Sequence, residues 1–105
     1  MNQSTSELQV DREALLGRIR GWEKELDELA AENGQVVLKA VSNEDRKLVA
    51  HFENQFTIQK DRLDKLKHSV KLNGANEYNS KEVDDYAAYF GKLHSEFVAF
   101  SESLS

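Results

Sequence analysis

Residues 83–104 read VDDYAAYFGKLHSEFVAFSESL. An unbroken seam runs through them at Val83, Tyr86, Phe90, Leu93, Phe97, Phe100 and Leu104, in alternating steps of four and three. That spacing places every seam residue on one stripe of an α-helix and is the pattern of coiled-coil packing. The seam predicts a helix over about 80–104, with Asn79 and Glu82 at capping-box spacing ahead of it.

The same rhythm recurs twice upstream. Residues 43–73 carry it at Val49, Phe52, Phe56, Gln59, Leu63, Leu66 and Val70. Ser42 or Asn43 is placed to cap that segment, and Glu44 and Asp45 lie in its first turn, where the helix dipole favours acids. Residues 6–33 carry the rhythm at Leu15, Ile19, Trp22, Leu26 and Leu29, with Leu8 and Arg12 on the extended seam. Asn33-Gly34 and Asn73-Gly74 read as helix stops, since both residue types tolerate the left-handed conformation.

Three helices of this length, each with one apolar stripe, cannot stand alone in water and bury their stripes against one another. The expected fold is all-α: an antiparallel, up-down-up three-helix bundle with left-handed, coiled-coil-like packing, its helices at about 6–33, 43–73 and 80–104. The middle segment is the one segment with more bases than acids, which suits a place between two acidic neighbours. Composition agrees. The chain has no proline among 105 residues, where about five are usual, so long helices meet no obligatory break. A single domain over 1–105 is expected, with residues 1–5 frayed and an apolar linker, GQVVLKAV, at 34–41. A loop folded over the end of the bundle is the first reading of that linker. A strand that pairs with another chain and a helix continued past Gly34 are the other two.

Composition also limits function. Absence of cysteine excludes thiolate chemistry and cysteine-ligated zinc. A net charge of −5 argues against nucleic-acid binding, which needs a basic face. No signal peptide or membrane-length apolar run is present, so a cytoplasmic protein without membrane contact is expected.

His51, His68 and His94 are the candidate acid–base or metal-ligating groups. The residues three before them are Leu48, Lys65 and Gly91, so the Glu-x-x-His pattern of di-iron bundles is absent. A metal- or ligand-binding bundle using His51 or His94 with nearby carboxylates would have to assemble from separate helices. His68-Ser69-Val70-Lys71 repeats the His-x-x-Lys spacing of histidine phosphotransfer bundles, with His68 and Lys71 as the candidate pair. That motif continues with glycine, and this chain has Leu72 there. No phosphate-cradling loop or nucleophile elbow appears, so neither an enzyme nor a cofactor is expected.

The remaining candidates are surface positions. Gly17 and Gly21 fall inside a helix and off its seam, where each costs about 1 kcal/mol relative to alanine. A second helix lying close along that face, from another copy of the protein, would account for them, and a slightly bent helix is the alternative. Val36, Val37 and Leu38 of the linker, with Tyr78 and Tyr89 off the third seam, complete the candidate interface. The sequence therefore points to a non-catalytic bundle that mediates protein–protein interaction as an adaptor, regulator or assembly subunit, with a homodimer as one form. A phosphotransfer relay through His68 and a metal- or ligand-binding bundle are the competing readings.

Overall fold

The computed structural model describes the backbone of residues 2–104 and the side chains of residues 11–104. Within them the chain forms helix α1 (Asn2–Val36), a 3-10 turn (Val37–Lys39), α2 (Asn43–Asn73) and α3 (Glu77–Ser103). The molecule is a rod of 62 × 19 × 18 Å. Cross-helix partners fix the topology. Asp27 pairs with Lys60 and Glu23 with Lys67, so α2 runs antiparallel to α1. Arg18 pairs with Asp84 and Trp22 packs on Tyr86 and Phe90, so α3 returns parallel to α1. This is the expected three-helix bundle, up-down-up.

The seams are the core. In α2 the buried residues are Val49, Phe52, Phe56, Gln59, Leu63, Leu66 and Val70. In α3 they are Asn79, Val83, Tyr86, Phe90, Leu93, Phe97 and Phe100. One end of the core is aromatic: the Phe52 ring meets Phe97 edge-on at 5.2 Å and stacks on Phe100 at 5.4 Å. Burying each such side chain contributes about 1.5–3 kcal/mol. Leu16 joins the α1 core although it lies one position off the seam. Leu8 falls among side chains outside the described residues, and of residues 1–5, where fraying is expected, the backbone is helical from Asn2 onward.

Three boundaries differ from expectation. The backbone of α1 starts at Asn2 rather than about Ser6, with no proline or glycine in residues 2–10 to stop it. It also continues through Asn33-Gly34 to Val36. The heptad explains this extension, since Asn33, Val36 and Ala40 prolong the steps of four and three and all are buried. Asn33 takes a core position, and its Nδ2 donates to the Val49 carbonyl at 3.0 Å. Gly34 keeps a negative φ, and the burial of Val36 and Ala40 outweighs its poor helix propensity. The linker is therefore mostly helical, with Arg46 Nε donating to the Ala40 carbonyl at 3.3 Å where it turns into α2.

The third shift is at α3. Its N-cap is Asn76, which accepts the Asn79 N–H at 2.7 Å, and the helix starts at Glu77 instead of about Ser80. Asn79 is thus not the cap. It is fully buried, and its Nδ2 donates to the Gly74 carbonyl at 2.8 Å and the Ser69 carbonyl at 3.2 Å. Its Oδ1 accepts from Ser69 Oγ at 2.8 Å. The turn between α2 and α3 is therefore only Gly74–Asn76, held from inside.

Candidate functional site

The histidines are spread out. His68 and Lys71 are both exposed near the end of α2, beside Leu72, which is also exposed. His94 stacks on Phe90 at 6.1 Å with nearly parallel rings. His51 meets the edge of Phe52 at 5.4 Å and lines a shallow groove of about 250 Å³ with Gln55, Tyr89, Lys92, Leu93 and Glu96. Among the described residues, no three His, Asp or Glu side chains converge into a metal-binding group.

Tyr89 is a wall of that groove rather than a free surface ring. Its hydroxyl donates to Gln55 Oε1 at 3.1 Å, and the Arg62 guanidinium lies 5.7 Å from its ring centre. Arg62 also sits 5.2 Å from the ring of Tyr86. Tyr86 is fully buried, and its hydroxyl has no hydrogen-bond partner among the described residues. Burial pushes its phenol well above the usual range. Tyr78 stands exposed three turns earlier along the same α2–α3 side, over a groove of about 220 Å³ shared with Arg62, Lys65, Leu66, Ser69 and Glu82.

The most apolar surface is the corner between α1 and α2. Leu38 is 77% exposed and Val41 80%, with Val37 and Leu48 also exposed beside them. Val36 is not part of it, since that side chain belongs to the core. The 3-10 turn explains the division. Val36 and Ala40 point inward on the prolonged seam, and the intervening apolar residues point out. A groove of about 370 Å³ lies next to the corner, lined by Ala30, Asn33, Gly34, Val37, Val49, Glu53 and Thr57.

Gly17 and Gly21 lie on the outer face of α1, and a methyl group added at either meets no atom within 4 Å. They are therefore open positions and serve no packing inside the bundle. From the corner, Leu38 continues the same outer stripe, so one face of the molecule carries both the glycines and exposed apolar side chains. Val41 and Leu48 were not legible as surface residues beforehand. Val41 follows Ala40, the last position of the prolonged α1 seam, and Leu48 lies one position before Val49 on the α2 seam, so both fall off the buried stripe. No helix of the described residues is long and apolar enough to cross a membrane. No family model matches this chain, and no curated protein or solved structure matches it either.

Proposed function

We propose that this protein is a non-catalytic interaction module of the cytoplasm, a stiff three-helix rod that engages a protein partner through α1 and the α1–α2 corner. The observation that carries the reading is the exposure of Val37, Leu38 and Val41 within five residues of one another. Exposed apolar side chains clustered at one place mark interaction surfaces, whereas scattered ones are ordinary. The core supports the same use. Aromatic residues fill the aromatic end of the bundle, and the grooves on its outside are open and shallow, which suits contact with a surface better than enclosure of a small molecule.

A photo-crosslinking residue in place of Leu38 or Val41, introduced in cells that naturally make the protein, tests this. Discrete protein adducts from both positions, and none from exposed Glu102, are expected. Adducts no more abundant at the corner than at position 102 would overturn the reading.

A further inference from the structure

The outer face of α1 has an order that neither other helix shares. Its central stripe, counted between the seam positions, runs through Ala14, Gly17, Gly21, Lys24, Glu28, Ala31, Gln35 and Leu38, all exposed. Reversed end to end, the stripe matches itself. Leu38 falls opposite Ala14, Gln35 opposite Gly17, Ala31 opposite Gly21, and Glu28 opposite Lys24. Each larger side chain meets a small one, and the charges at the centre are opposite. Neither Lys24 nor Glu28 forms an ion pair among the described residues, so both remain available. The outer stripes of α2 and α3 fail the same comparison. Reversed in the same way, between two neighbouring stripe positions, α2 sets Asp61 against Lys65 but bulky Ile58 against His68, and α3 sets Lys92 against Ser95 and Asp85 against Glu102.

We infer that α1 docks antiparallel on α1 of a second copy, about a twofold axis at the level of Leu26, with Lys24 of each chain against Glu28 of the other. The inference rests on the interaction reading above and names the occupant of that face. A twofold contact requires a self-complementary patch, and the stripe supplies one. The contact runs from Ala14 of α1 to Leu38 in the 3-10 turn, a length of about 36 Å. Charge complementarity selects the register, and the glycines let the helix backbones approach. On one flank Arg18 faces Glu32 of the second copy while Glu25 meets its own counterpart, and on the other Asp27, already paired with Lys60, meets its own.

Sedimentation equilibrium of the full chain tests this. Wild type is expected to show twice the 12.0 kDa of one chain, at concentrations on the order of tens of micromolar. Lys24→Glu and Glu28→Lys should each raise the dissociation constant at least about tenfold, and the double swap should return it to near wild type. Glu25→Gln, which removes one like-charge encounter, should lower it. All three side chains are exposed, so circular dichroism of each variant should match wild type. A monomer up to millimolar concentration, or a dimer indifferent to the single swaps, overturns the inference. Corner crosslinks to a different protein would then leave the interaction reading standing without the homodimer.

Discussion

Asn79 Nδ2 donates to the Gly74 carbonyl at 2.8 Å, and this bond ties the first turn of α3 to the last turn of α2. Gly74 has φ +72°, a conformation that side chains rarely adopt, and a Cβ there would come within 3.2 Å of Arg12 Nη2. Asn79→Ala removes three side-chain hydrogen bonds from a fully buried position and should cost about 2–4 kcal/mol. Gly74→Ala should cost about 1–3 kcal/mol through backbone strain. Urea unfolding of the two variants measures both. Stability equal to wild type in Asn79→Ala would mean that the turn is held by other contacts.

Gln59 presents a different balance. It is 3% exposed on the α2 seam, and its Oε1 has no partner among the described residues. A buried acceptor without a bond costs about 1–3 kcal/mol. Gln59→Leu should therefore raise the melting temperature. A polar seam residue disfavours slipped pairings, so the expected cost of Gln59→Leu is a looser register. A lower melting temperature would show that the amide makes a needed bond.

Tyr86 gives the fold a dependence on alkaline pH. Burial raises its phenol pKa in the folded state, so folding favours the protonated form. The contribution is fully present below the unfolded value of about 10 and is lost as pH rises through the folded value. Denaturant midpoints measured from pH 8 to pH 11 should fall more steeply for wild type than for Tyr86→Phe. At neutral pH the phenylalanine variant should be more stable by about 1 kcal/mol, since it removes an unpaired hydroxyl. Parallel curves for the two proteins would contradict this.

Gly17→Ala and Gly21→Ala should each stabilise the isolated chain by about 1 kcal/mol, because alanine is the better helix former and open space receives its methyl group. If the glycines serve close approach of a second helix, the same changes should weaken self-association. Thermal unfolding in dilute solution and sedimentation at high concentration read the two effects separately. A gain in stability with no loss of association would leave the glycines without a contact role.

The α2 and α3 cores were legible residue by residue, because a seam in steps of three and four needs no knowledge of the partner helix. The ends were less so. Asn33-Gly34 carries a stop signal worth about 1 kcal/mol, and the burial of Val36 and Ala40 three and seven residues past Asn33 overrides it only once α2 is in place. Asn79 resembles a cap in one dimension, yet its side chain is claimed by Ser69 and Gly74, which the turn brings beside it. Leu16 and Trp22 show the same limit: Leu16 is buried off the seam, while Trp22 on the seam remains partly exposed beneath the Arg18 guanidinium. Of the interface candidates, Gly17, Gly21, Val37, Leu38 and Tyr78 lie open on the surface, Tyr89 is engaged by Gln55 and Val36 is core. Seam arithmetic does not tell which off-seam residues are covered by a neighbouring helix.

The outer face of α1 as a contact surface is tested most directly by amide NMR shifts recorded over a concentration series. With rising concentration, signals of Gly17, Gly21, Lys24, Glu28 and Ala31 should move or broaden together, while those of Ala88 and Ser95 on the outer face of α3 stay fixed. Shifts confined to α3, or none anywhere on α1, would contradict the assignment of that face.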